Sequence, residues 1–341
     1  MSEAARDFHR SFLVTCLGAY DDSGIGTGGF VCVHEGRAIA LDSIDSTGLC
    51  EHAGIYYRFA RGLRSIVGYG ADGVRFVLKL PDVRDIHDIV LRAGLFICVA
   101  TGTNEVLWID PLGNVTRRWK ADGERDAWHL NCLCEADGRW HLTAFGRFAE
   151  HRGWVGKNHD KGFVFDLESG REVVTGLTGP HNPRCIDGTW YICDSQAEAL
   201  VVQRSGEAAQ SIPLGGFTRG LAYDARHLYV GISANRKADV PADHSIIAVL
   251  DRASLETVAR IEIPFPEIYE LQIVPPAFSA AIAANPAAFQ IDRDQERFAA
   301  LEQQVQLGWR DNAELRRRLG VLRHFERALC GLVDFKRRIV G

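Results

Sequence analysis

The sequence predicts an all-β fold: a six-bladed β-propeller closed by pairing of its N-terminal and C-terminal strands, with an α-helical extension. Three observations predict it. Short apolar runs with strand character follow one another from Phe12 to about Pro275, separated by turn residues. They group into units of roughly 40 residues, the length of four strands and their turns. Each unit opens on a similar polar stretch, a repetition that a β-sandwich does not require.

The openings lie at Thr47, His87, His129, His181, Arg219 and Glu267, which gives six blades. An opening leads into a first strand, then a tight turn such as Arg92-Ala93-Gly94, Ala136-Asp137-Gly138 or Asp187-Gly188, then a second apolar strand. Third strands end in polar turns: 106–110 before Pro111-Leu112-Gly113-Asn114, 163–166 before Glu168-Ser169-Gly170, and 246–251 before Arg252-Ala253-Ser254. Pairing of the last inner strand, 268–274, with the N-terminal strand, 12–17, closes the ring and removes exposed sheet edges. The domain reading is 12–275 for the propeller and 276–341 for the helical extension.

Connections between second and third strands lengthen at 19–27, 147–160 and 234–244, on the rim that carries the inner-strand openings. Scaffolds carry function on such loops. Trp154, His151 and His159 form a candidate lid there, whereas Trp108, Trp119, Trp140 and Trp190 read as blade packing. From Ala277 onward the chain changes character, helical patterning runs from Asp292 to Ile339, and Arg316-Arg317-Arg318 and Lys336-Arg337-Arg338 make the end basic. Such helices can pack on the propeller, form a homo-oligomer, or meet a protein partner or an acidic surface.

Composition narrows the classes. The 341 residues have ordinary globular composition and a net charge of −5, which excludes a disordered chain and gives no reason to expect nucleic acid. No apolar run approaches the roughly 20 residues of a transmembrane helix. Glu3, Asp7 and His9 precede any apolar stretch, so no secretory signal is expected. Nine cysteines without a CxxC pair, most in strand-like runs, read as buried free thiols in a reducing, cytoplasmic compartment.

Gly24-Ile25-Gly26-Thr27-Gly28-Gly29 satisfies GxGxxG, but it leads into a strand where a dinucleotide site needs a helix N-terminus. It reads as a rim loop, and no nicotinamide or flavin is expected. His87, His129 and His181 occupy equivalent openings, which radial symmetry brings to one end of the channel. They can hold a divalent metal, with Glu267 or Glu270 as oxygen ligand, act as catalytic bases, or hydrogen-bond between blades. Arg184 and Arg219 suit capture of a small anionic molecule, or pair with Asp88, Glu267 or Glu270. Glu267 and Tyr269 are candidates for moving protons, and Asp88, Asn131, Asn182 and Glu270 for binding ligand. Strand parity puts His181 and Arg184 on opposite faces, unless Pro183 breaks the strand.

The blocks His129-Leu130-Asn131, Pro180-His181-Asn182-Pro183-Arg184, Phe217-Thr218-Arg219-Gly220-Leu221 and Pro264-Phe265-Pro266-Glu267-Ile268-Tyr269 carry a resemblance. The chain resembles an uncharacterised bacterial conserved-hypothetical β-propeller family, a domain of unknown function often met near glycan-synthesis genes. The resemblance covers about 12–275, implies the propeller and the rim residues, and transfers no reaction. Two functions are expected. One is metal-assisted lyase, isomerase or hydrolase chemistry on an anionic sugar-like substrate at the funnel. The other is a non-catalytic scaffold in glycan or natural-product biosynthesis, docking through its rim and basic tail.

Overall fold

The computed structural model describes residues 10–18, 28–233, 243–292 and 298–305. Its strands form six four-stranded antiparallel sheets. The inner strands are Ser46–His52, Ile86–Arg92, Leu130–Ala136, Pro180–Ile186, Phe217–Tyr223 and Glu267–Val274, each beginning at or beside a predicted opening. We number the blades in that order. Inner strands neighbour one another in turn, the sixth against the first, around a central channel.

Blade 6 is composite. Glu267–Val274 pairs with the N-terminal strand Ser11–Leu17, which pairs with Gly29–His34 and that in turn with Arg37–Asp42. The register runs from Ser11 opposite Val274 to Leu17 opposite Glu267. Both ends of the propeller therefore share one sheet, which is the closure the strand pattern predicts.

Apolar side chains of alternating strand positions fill the spaces between blades. Tyr57, Phe76 and Phe96 meet with ring centroids 5.3–5.7 Å apart between blades 1 and 2. Trp128, Phe163 and Phe165 belong to the cluster that joins blades 2 and 3. Between blades 6 and 1 the filling is ionic. The fully buried Arg58 pairs with Asp42, donates to Tyr69 Oη at 2.9 Å and Ser46 Oγ at 2.7 Å, and lies over Phe30. Such a pair is tolerable in an apolar interior because every charge has a partner.

Helix α1, Pro276–Ala284, packs on the two central strands of blade 6. Its Ser279 Oγ lies 2.8 Å from Ser11 Oγ and 2.9 Å from His34 Nδ1, and Phe278 packs 4.5 Å from Tyr56 of blade 1. The helix thus spans the closure. The chain divides into two compact units, Met1–Arg293 and Asp294–Gly341, and α1 belongs to the first. In the second, residues 298–305 are helical. Both basic clusters, the loops at 19–27 and 234–242, and most of the glycine motif lie outside the described residues. No helix among the described residues is long and apolar enough to cross a membrane.

Candidate functional site

Every inner strand carries one irregularity near its start, where an extra residue enters the pairing with the second strand. Gly48, His87 and Gly220 are the extra residues in blades 1, 2 and 5. The shift falls between Leu130 and Leu133 in blade 3, His181 and Arg184 in blade 4, and at Tyr269 in blade 6. Crowding at the axis explains two of them. A Cβ on Gly48 would lie 2.8 Å from Ile89 N, and one on Gly220 3.1 Å from Ile268; both glycines also have positive φ. A bulge re-aims side chains and frees backbone groups. It reverses the parity expected for blade 4: His181 faces Cys193 and Arg184 faces Tyr191, so both lie on one face of the sheet.

Two sets of polar side chains result. The first, at the strand openings, contains His87, His129, His181, Arg219, Glu267 and Tyr269. His87 Nδ1 lies 2.8 Å from Asn131 Oδ1 across the blade 2–3 boundary, and its Nε2 lies 3.4 Å from Asp85. Asn131 turns its amide nitrogen to His129 O at 2.9 Å, so its oxygen accepts from His87. His129 Nδ1 lies 2.7 Å from Asp126 Oδ1, and its ring is flanked by Trp154 at 4.1 Å and Phe145 at 4.3 Å. His181 Nδ1 faces Gly179 O at 2.9 Å and Ser195 Oγ at 2.7 Å. Each imidazole therefore has its Nδ1 held by an oxygen.

Burial governs the charges. It pushes His129 down to about 4 against the pull of Asp126, so that ring is neutral near pH 7. Burial, aided by the Arg219 charge, holds His181 well below the usual histidine range. Burial raises the Tyr269 phenol well above its ordinary value, so it keeps its proton. Burial would raise Asp85 too, but His87 and Arg61 hold it well below the usual carboxylate range. Arg219 donates to Glu267 at 2.5 Å and lies 5.0 Å from the rings of Phe217 and Tyr269.

The second set lies further along the same strands. Asp88 accepts from Ile89 N and Leu133 N, both at 2.8 Å. Asn182 accepts from Gly220 N at 2.7 Å and donates to Glu270 Oε2 at 2.8 Å. Arg184 donates to the same oxygen at 3.0 Å, while Glu270 Oε1 takes Leu271 N at 2.9 Å and Leu221 N at 3.3 Å. These side chains satisfy backbone groups next to the bulges and stitch blade to blade. Burial, with the Glu270 charge next, raises Asp88 to about 7.

The structure brings the predicted residues to one channel but gives them different surroundings. Arg184 and Arg219 are each committed to an internal carboxylate, the pairing alternative for both. Among the described residues no group of three or more histidine, cysteine or acidic side chains is placed to hold a metal ion. Of the lid candidates, Trp154 covers His129 and donates to Asp126 O at 3.1 Å, whereas His151 and His159 are exposed. Sequence reasoning missed Asp85, Asp126, Phe145 and Ser195. An aspartate two or three residues before His87 and His129 is the signal that could have found the first two. All eight cysteines among the described residues are free, and seven are buried.

A family model described as "Domain of unknown function (DUF4915)" matches residues 80–282, more than half of the chain. The chain belongs to that family. The match contains all eleven predicted site residues and leaves blade 1 and the N-terminal strand outside. No curated protein matches the sequence. Similar solved structures include a protein of unknown function from Bacteroides caccae, at 12% identity over 78% of this chain and 99% of that one, with a TM-score of 0.54. A chain of a nidogen/laminin complex gives 11%, 78%, 99% and 0.56 on the same measures. Regucalcin from Agrobacterium tumefaciens, a calcium-binding protein, gives 14%, 71%, 86% and 0.51. Identities this low establish the propeller alone, a fold that hosts unrelated functions.

Proposed function

We propose that the openings of the inner strands form a small-molecule site that works by general acid–base chemistry, with His129 as the base. The observation that carries this reading is the Asp126–His129 pair. A carboxylate 2.7 Å from Nδ1 holds that nitrogen as the donor, and burial keeps the ring neutral, so the lone pair sits on Nε2. An oriented neutral imidazole is the usual arrangement for abstracting a proton from carbon, oxygen or water. Lyase, isomerase and hydrolase steps all begin this way. Arg219, held by Glu267, supplies fixed positive charge beside the site. The aromatic rings of Trp154 and Phe145 suit the apolar face of a sugar-like ligand. No step of this reading passes through a metal. The free buried thiols support a reducing, cytoplasmic setting.

The test is turnover of sugars and sugar acids followed by NMR in deuterated water. His129→Ala and Asp126→Asn should each slow the reaction by about 10²–10⁴-fold while the fold survives. Turnover that survives His129→Ala would sink the proposal. A second reading, the non-catalytic scaffold, is favoured by the internal pairing of Arg184 and Arg219, which leaves both looking structural. It predicts ligand or protein capture without turnover, and binding indifferent to Asp126→Asn.

A further inference from the structure

His181 and Tyr269 are the most deeply buried of the predicted proton carriers, at 0% and 2% exposure. Each carries one polar atom without a hydrogen-bond partner: His181 Nε2 and Tyr269 Oη. Unsatisfied buried polar atoms are rare in folded proteins, and two in one ring of side chains call for an explanation. Both lie around Arg219, which sits 5.0 Å from the Tyr269 ring and is the charge that acts most strongly on His181.

The hydrogen-bond chain behind His181 fixes what it offers. Ser195 Oγ donates its proton to Thr218 O at 2.5 Å, so toward His181 it presents only a lone pair. Gly179 O is likewise an acceptor. Nδ1 therefore carries the ring proton, and because burial keeps the ring neutral, Nε2 is a bare acceptor. Tyr269, which keeps its proton, is a donor lacking an acceptor. An ionised carboxylate has no proton to give Nε2. A divalent cation would meet the Arg219 charge that already disfavours an imidazolium there.

We infer that His181 Nε2 and Tyr269 Oη are binding atoms for neutral hydroxyl groups, His181 accepting from one hydroxyl and Tyr269 donating to another. A hydroxyl can both give and take a hydrogen bond, and so can satisfy either atom. The assignment rests on the reading of the openings as a small-molecule site but not on turnover. It gives these two residues a binding role in place of the proton transfer expected from the sequence.

Calorimetric titration of the full chain tests it, with glucose, glucuronate, myo-inositol, inorganic phosphate and zinc chloride as probes. At least one hydroxyl-bearing probe should bind, and Tyr269→Phe should weaken that binding by about tenfold or more, because a site built to bond a hydroxyl loses heavily without it. His181→Ala should act in the same direction, and Tyr269→Phe decides the matter if the histidine variant fails to fold. Affinity unchanged in Tyr269→Phe overturns the subsite. So does binding of phosphate or zinc alone, or no binding of any hydroxyl-bearing probe, which would leave buried water as the partner. Tyr269-dependent binding in a protein without turnover keeps the subsite and removes the acid–base reading. Turnover with an affinity indifferent to Tyr269 does the reverse.

Discussion

Two rings of polar side chains share the same inner strands, a few residues apart, and differ in one respect. In the ring of Asp88, Asn182, Arg184 and Glu270, donors and acceptors answer one another and the backbone groups next to the bulges. In the ring of His87, His129, His181 and Tyr269, each imidazole is held from behind by an oxygen, yet His181 Nε2 and Tyr269 Oη meet nothing. A saturated network is what fold stability selects, because a buried atom left over costs about 1–3 kcal/mol. An unsaturated one held in a fixed geometry is what a ligand site requires. Polar residues of the same inner strands thus separate into scaffold and site by their remaining valence.

The largest effects should come from breaking the saturated ring. Glu270→Ala strips partners from Arg184, Asn182, Leu221 N and Leu271 N at once. Removal of one side of a buried charged pair costs about 3–5 kcal/mol, and urea unfolding should show a loss of that size. A loss under about 1 kcal/mol would mean that the ring does not hold the blades together.

Asp88 gives a pH-dependent version of the same test. Its pKa is raised from 3.8 unfolded to about 7 folded, so its favourable contribution is complete below the unfolded value and is lost as pH rises through about 7. The native chain holds one more proton than the unfolded chain within that window, a slope approaching about 1.4 kcal/mol per pH unit. His129 works in the opposite sense, since its neutral ring favours folding above the ordinary histidine value and this is lost as pH falls toward about 4. Subtracting the Asp88→Asn profile from that of the native protein isolates the Asp88 slope. Parallel profiles would refute its raised pKa.

The propeller was legible in the sequence because its signal is repetitive. Six polar openings, tight turns after first strands and a leftover strand at each end suffice to count blades and close the ring. The companions of the histidines were less legible. Asp126 and Asp85 sit just before the openings, marked only by that offset, and Ser195 lies in the turn after the second strand of blade 4. Parity misled for Arg184 because a bulge is an event of backbone pairing, set by crowding at the axis. Pro183 hints at it in one blade, and Gly48 and Gly220 do so in two others. The fate of the arginines depended on which carboxylate the closed ring brings near, and Glu270 lies 86 residues from Arg184.

Smaller effects sharpen the description of the open ring. Trp154→Ala removes the indole that covers His129 and donates to Asp126 O. It should cost about 1–2 kcal/mol, in the range of ordinary substitutions. Its informative consequence is a shift of the His129 pKa upward from about 4, because lowered burial no longer penalises the imidazolium so strongly. NMR titration of the His129 ring reads this directly. An unmoved pKa would show that the 147–160 insertion does not control the base.

The smallest expected change is the most discriminating one. Tyr269 is next to Glu270 in sequence and slightly more buried, so a burial argument alone would make both equally costly to alter. Their valence says otherwise. Tyr269→Phe deletes an oxygen that has no protein partner and leaves the ring against His87 and Arg219 in place. Folding stability should change by less than about 0.5 kcal/mol, or rise slightly, since a desolvated hydroxyl without a bond is itself a cost. A loss of 2 kcal/mol or more, outside the scale of about 1 kcal/mol for one ordinary hydrogen bond, would place Tyr269 in the structural network. The contrast between the two rings would then reduce to one of depth.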